Sequence, residues 1–183
     1  SKVTNMAGMF LDCYALKSLD VSSFDTSNVK SFQNMFGNCK TLTKLDVSNW
    51  DTSNVTSMSS MFSSCKALKN LDLSNFDTSK VNGSGMSSMF AYCSSLESIK
   101  FGKNFKTDNI TSMSVMFIEC KKLTNLDLSN FNTSKVTNMS NLFARCEKLR
   151  SIKFGNNFDT SSVTNMEGMF NNCKALTNLD ISN

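Results

Sequence analysis

A right-handed α/β solenoid is the fold this sequence predicts, with one short parallel strand and one short helix in each of about seven units of about 26 residues. Three observations predict it. Cysteine occurs only at Cys13, Cys39, Cys65, Cys93, Cys120, Cys146 and Cys173, at steps of 26, 26, 28, 27, 26 and 27. Each Cys has a Phe three residues before it and a Leu three residues after it. Within each unit an apolar stripe spaced for a helix gives way to strict alternation, the signature of a strand. Self-similarity at such a period marks units that bury their apolar faces on one another, so residues 1–183 are expected to form a single repeat domain.

The unit from Val55 to Lys80 shows the elements in order. Val55, Met58, Met61, Phe62, Cys65 and Leu68 stand at offsets 0, 3, 6, 7, 10 and 13, which place them on one face of a helix. Asp51-Thr52-Ser53-Asn54 precede it and supply side-chain oxygens able to cap its first free N–H groups. After Leu68 the period becomes two: Leu71 and Leu73 are apolar, while Asn70, Asp72 and Ser74 are polar. All units run the same way, so the strands are expected to be parallel and the crossovers right-handed. Phe76 falls one step out of phase, which predicts a turn at Ser74-Asn75 that swings it inward. Its column holds Phe24, Trp50, Phe105, Phe131 and Phe158. A core ladder is the expected reading, an exposed glycan-binding ladder the alternative.

The other units vary this scheme. The first enters directly at Val3, Met6, Met9 and Phe10, and the second carries Phe32 in a Met position. The fourth begins at Val81 and inserts two residues through Asn82-Gly83-Ser84-Gly85, which predicts a surface loop. The strand stretches Ile99–Phe105 and Ile152–Phe158 are one residue longer than Leu71–Phe76, and Gly102 and Gly155 are expected to adopt positive φ there. Neither end carries the atypical polar cap that repeat arrays require. A fragment of a longer array, or ends covered by something else, is therefore expected, and self-association through the ends is possible.

Composition narrows the function. The formal charge of +4 is scattered along the chain without a Lys/Arg run, against a nucleic-acid partner. No stretch approaches the ~20 apolar residues of a membrane span, and the first residues lack a signal-peptide core. Histidine is absent, and every Ser and Asp sits in a repeated column, so no acid, base or nucleophile is singled out and no enzyme is expected. The cysteines lie on the inward stripe, on helices expected about 8–10 Å apart, beyond the ~6.8 Å that a disulfide spans. Buried free thiols follow. Their spacing suits no zinc site, and no metal or cofactor is expected.

Recognition is expected on the outward strand positions, which parallel stacking at ~4.8 Å aligns in columns. The candidate ligand-binding column is Asp20, Asp46, Asp72, Lys100, Asp127, Lys153 and Asp180. Beside it run Ser22, Ser48, Ser74, Gly102, Ser129, Gly155 and Ser182. The first three Asp repel one another, which a cation or a basic partner could relieve; a solvated polar face, with Lys44 moderating Asp46, is the plainer alternative. The two Lys make the second half less acidic, so a partner could tell the halves apart. The Thr column, Thr26, Thr52, Thr78, Thr107, Thr133 and Thr160, is expected to cap helices rather than to order water.

The phrase VTxMxxMFxxCxxLxxLDLSxFDTS, as it stands from Val55 to Ser79, resembles the 26-residue repeat of BspA-type leucine-rich-repeat surface proteins of bacteria, and the resemblance covers nearly the whole chain. It implies a leucine-rich-repeat-like solenoid, part of an exported or anchored protein at the bacterial cell surface or outside the cell. It also implies adhesion to a protein or glycan on a host or neighbouring cell. The units containing Ile-Lys-Phe-Gly depart from the phrase. A spacer or end-to-end assembling repeat with no ligand of its own is the rival expectation, and no direct membrane insertion by this segment is expected.

Overall fold

The computed structural model describes residues 2–179, and it overturns the expected α/β solenoid with a helix in every unit. Among the described residues there is no helix. The regular elements are four short strands, β1 (Asn70–Leu73), β2 (Ser98–Phe101), β3 (Asn125–Leu128) and β4 (Ser151–Phe154), in two separate two-stranded parallel sheets. What stacks is a series of turns.

The reason lies two residues to either side of each Phe. In unit 3 (residues 55–80) Ser60 has φ 55° and Ser64 φ 60°, in the left-handed region that a right-handed helix excludes. The same two columns are left-handed in all seven units, from Gly8 and Asp12 to Gly168 and Asn172. Seven of these fourteen positions hold Gly, Asn or Asp, the residues that tolerate this region best, so the local sequence favours the turn. Hydrogen bonding follows. Met61, Ser63 and Cys65 donate their N–H groups three residues back, to Met58, Ser60 and Phe62. The amides between them point out of the unit: Ser60, Phe62 and Ser64 donate to Ser87, Met89 and Ala91 of the next unit at 3.0, 3.0 and 2.7 Å. A helix would have kept all of these bonds inside one segment. Offsets of three and four residues serve consecutive turns as well as a helix, because each turn also returns the chain to the same side after three residues.

The buried face is the one the stripe picks out. Met58, Met61, Phe62, Cys65 and Leu68 are all buried, as are their counterparts through units 2 to 6. Seven Phe rings stack from Phe10 to Phe170 with centroids 5.4 to 5.9 Å apart and planes within 13°. Such offset pairs add about 0.5–1.5 kcal/mol beyond the burial itself. The second aromatic column is also core: Trp50, Phe76, Phe105, Phe131 and Phe158 are buried, and the Trp50 indole N–H donates to the Val21 carbonyl at 3.3 Å.

From Cys39 to Cys173 each thiol has a defined partner. Cys65 Sγ donates to the Phe36 carbonyl at 3.2 Å and Cys93 Sγ to the Phe62 carbonyl at 3.0 Å, and the pattern continues to Cys173 on Phe143. The same Phe62 carbonyl accepts the Cys65 N–H, so one oxygen serves its own turn and the next unit's thiol. All seven cysteines are free thiols. Burial pushes Cys93 and Cys146 up to about 12, where the neutral thiol that the carbonyl needs is the only form near neutral pH.

Without helices the Thr column has nothing to cap. Thr26, Thr52, Thr78, Thr107 and Thr133 are instead buried and bind unit to unit. Thr52 Oγ1 donates to the Asp77 carbonyl at 2.9 Å and accepts the Asp77 N–H at 2.8 Å, and Thr78, Thr107 and Thr133 repeat this double bond with Lys106, Asn132 and Asp159. A hydroxyl suits this buried place because its oxygen satisfies two backbone groups that burial would otherwise leave unpaired.

The strand side is less continuous. In β1 and β3 the Leu side chains face in and Asn and Asp face out, as alternation demands. β1 pairs with β2 and β3 with β4, whereas β2 and β3 share no ladder. Gly102 and Gly155 do not adopt the expected positive φ; among the glycines Gly8, Gly83 and Gly168 do. They are required for a different reason: a Cβ at Gly102 would run into the Ser74 carbonyl oxygen of the preceding unit, and one at Gly155 into that of Ser129. Close backbone approach is the second use of a residue without a side chain.

Candidate functional site

The strand columns build an exposed polar face from the bottom up. Alternation turns Asp20, Asp46, Asp72, Lys100, Asp127 and Lys153 outward, and all six are exposed. Asp180, the last member of the predicted column, lies outside the described residues, as does Ser182. Parallel register sets Asp72 opposite Lys100 and Asp127 opposite Lys153, and each pair closes to 3.2 Å between Nζ and Oδ2. Side chains exposed by more than half make such bridges worth at most about 1 kcal/mol, so they order the face more than they stabilise the fold.

Each Asp also shapes its own turn. Oδ1 of Asp20, Asp46, Asp72 and Asp127 accepts the N–H of the Ser two residues on, at 2.9 Å in every case. The Ser hydroxyl and that N–H hold all four carboxyls below the usual carboxylate range, and Lys100 and Lys153 add to the effect at Asp72 and Asp127. Asp72 in turn pushes slightly against the ionisation of Asp46. Lys44 lies in the same hollow as Asp46, but no ion pair joins them among the described residues. One oxygen of each carboxylate is therefore committed to the backbone; the other is held by Lys100 in Asp72 and by Lys153 in Asp127. Among the described residues no group of three or more His, Cys, Asp or Glu could hold a metal ion.

Two hollows interrupt the face. One of about 410 Å³ is lined by Asp20, Lys44, Asp46 and Asn70, across units 1 to 3. The other, of about 260 Å³, opens where β2 and β3 fail to pair and is lined by Ile99, Lys100, Phe101, Asp127, Ser129 and Asn130. The sequence pointed to Lys100 and Asp127, and to Ser129 in the column beside them, but not to Phe101 and Asn130. The available signal was the added residue between Ile99 and Phe105, which shifts unit 4 relative to unit 5. Asn130 spans the break from its rim, donating from Nδ2 to the Gly102 carbonyl at 3.3 Å. The result is a mixed surface: acidic in units 1 to 3, then Lys100 and Asp127 around a half-apolar hollow, with Lys153 outside its wall. It can offer charge and hydrogen bonds to an extended partner.

No helix long and apolar enough to cross a membrane is present among the described residues. The family described as "Mycoplasma protein of unknown function, DUF285" matches residues 1–101 and again residues 84–183, and two overlapping matches are what a chain of repeats produces. No curated protein matches the chain, and no solved structure does.

Proposed function

We propose, for a chain that belongs to the DUF285 family of Mycoplasma proteins of unknown function, that it is a non-enzymatic binding module of a repeat surface protein and adheres through its strand face. The observation that carries this reading is the exposed column from Asp20 to Lys153, set in register, with its acidic half and its half of paired opposite charges. The likeness of its repeat to BspA-type surface repeats supports a place at the bacterial cell surface and a protein or glycan on a host or neighbouring cell as partner. Charge arranged in this way favours selectivity and rapid encounter more than affinity. Ile99 and Phe101 in the wall of the mixed hollow add an apolar contact beside the charges.

The test is a set of charge reversals at Asp46, Asp72, Lys100 and Lys153, assayed for capture of a component from a host-surface extract. All four side chains are exposed, so folding should survive, and capture should fall by tenfold or more on the scale of one lost anchoring contact. A correctly folded variant that captures the same component equally well sinks the strand-face reading, and a spacer would behave in that way.

A further inference from the structure

The charge that looks scattered in the sequence is gathered by the stack onto one edge. The five residues after each Cys connect the turn segment to the strand. Over seven units these stretches hold ten of the nineteen basic residues and two of the fifteen acidic ones, a net of +8, which leaves −4 for the rest of the chain. Stacking brings them together because each stretch starts from the thiol ladder, and neighbouring stretches hydrogen-bond directly. Thr43 N–H donates to the Lys17 carbonyl at 3.1 Å, Glu97 N–H to that of Lys69 at 2.7 Å and Arg150 N–H to that of Thr124 at 2.8 Å. Lys122 and Lys148 share one hollow of about 280 Å³ with Glu97 and Thr124.

Most of these cations lack a counter-charge. Lys121 and Lys174 pair with Glu119 and Glu147 at 3.4 and 3.3 Å, and Lys40 lies 4.5 Å over the Tyr14 ring. Lys17, Lys44, Lys66 and Lys69 on units 1 to 3, and Lys122, Lys148 and Arg150 on units 5 and 6, are exposed and form no ion pair among the described residues. Unit 4 interrupts the row with Ser94-Ser95-Leu96-Glu97-Ser98. The edge thus carries two basic blocks, in which successive units at ~4.8 Å stand closer than a screening length of about 8 Å, along a row about 30 Å long for seven units.

We propose that this edge, which adjoins the strand face at Lys44, Asn125 and Ser151, is a second binding surface and that it takes an extended acidic polysaccharide carrying sulfate or uronate groups. The chemistry of the row selects that class. The side chains between the lysines are Thr41, Thr43, Ser95, Thr124, Asn125 and Ser151; Thr41 and Thr43 donate their hydroxyls to unit 1 carbonyls and Ser151 donates to Asn125, which leaves hydroxyl lone pairs to accept from sugar hydroxyls. From unit 2 to unit 7 the row holds no aromatic side chain on which bases could stack. Its Leu residues from Leu42 to Leu149 are buried, so it has no apolar face to sink into a lipid surface. Nine of the ten cations are Lys, which act as point charges along a flexible anion rather than as the planar forks that read phosphate.

The experiment is a binding titration of the whole chain with a fluorescent heparin-derived oligosaccharide, with oligothymidylate and phosphatidylserine vesicles as comparison probes. The oligosaccharide should bind tightest, and its affinity should fall by about tenfold or more between about 50 and about 200 mM salt, as expected when several counterions are released. Reversal of four charges in K66E/K69E/K122E/K148E should weaken it at least tenfold, E97K should tighten it by joining the two blocks, and K100E/K153E on the strand face should leave it unchanged. The proposal is overturned if the four-charge variant melts like the parent and binds like it, if E97K has no effect, or if either comparison probe binds more tightly than the oligosaccharide. Loss of binding in K100E/K153E alone would move the ligand to the strand face, which keeps the fate of this proposal distinct from that of the strand-face reading.

Discussion

The turn side and the strand side of the same stack are held together to different degrees. On the turn side each unit is joined to the next by alternate backbone amides, by a thiol on a Phe carbonyl and by ring on ring, from unit 1 to unit 7. On the strand side β1 pairs with β2 and β3 with β4, and the ladder stops between. Backbone cohesion and side-chain variation are thus separated. The turn side repeats its residues closely because each one is enclosed by copies of itself above and below. The strand side can exchange Asp for Lys, or Ser for Gly, because these residues face water or a single neighbouring carbonyl.

The largest expected effect strikes the turn side. Phe90→Ala removes a fully buried ring from the middle of the stack, between Phe62 and Phe117, and should lower stability by about 3–5 kcal/mol in denaturant unfolding. A loss near 1 kcal/mol would mean that the turn side is not the main support.

Alkaline pH comes next. Burial raises the folded-state values of Cys93 and Cys146 from 9.0 to about 12. For a group raised in this way, the stabilisation is fully present below the unfolded value and is lost as pH rises through the folded one. One pH unit above 9.0 the two thiols together should lower unfolding free energy by about 3 kcal/mol. The carboxyls of the strand face act in the opposite sense, since their lowered values contribute stability above the ordinary 3.8 that is lost as pH falls through the folded values. A stability curve flat from pH 9 to 10 would remove the thiols from the account.

A smaller effect has the more telling sign. Val115 is a β-branched residue at φ 52°, held there by its N–H bond to the Ser140 carbonyl at 2.9 Å. Val115→Asn, which installs the residue that Asn34 and Asn141 already supply in that column, should raise stability by about 1 kcal/mol. In a helix the same change would be close to neutral, because the two residues have similar propensities.

The smallest effect is expected on the strand side. A double-mutant cycle between Asp72 and Lys100 should give a coupling below about 1 kcal/mol, shrinking with salt. A coupling of several kcal/mol would mean that the exposed pair supports the fold and is not simply part of the recognition face.

These contrasts also show what the sequence could convey. The period, the inward stripe of Met58, Met61, Phe62, Cys65 and Leu68, and the outward column from Asp20 to Lys153 were legible, because burial imposes its own periodicity on composition. The helix was not, since a spacing of three residues satisfies successive turns equally well. The contrary signal was Gly8, Asn34, Asn141 and Gly168 standing two residues before the Phe, where left-handed backbone is needed. The Thr residues were legible as serving the backbone, but their partner proved to be the next unit and not a helix end. The basic edge was hidden because its members are about 26 residues apart in sequence and adjacent only once stacked.

The central claim, that the units are joined by turns which alternate local and inter-unit bonds, is tested most directly by amide hydrogen exchange in unit 3. Ser60, Phe62 and Ser64 donate to the next unit, and their amides should exchange as slowly as global unfolding permits, more slowly than those of β1 from Asn70 to Leu73. Faster exchange at these three amides than along β1 would contradict it and place the cohesion of the stack in its strands.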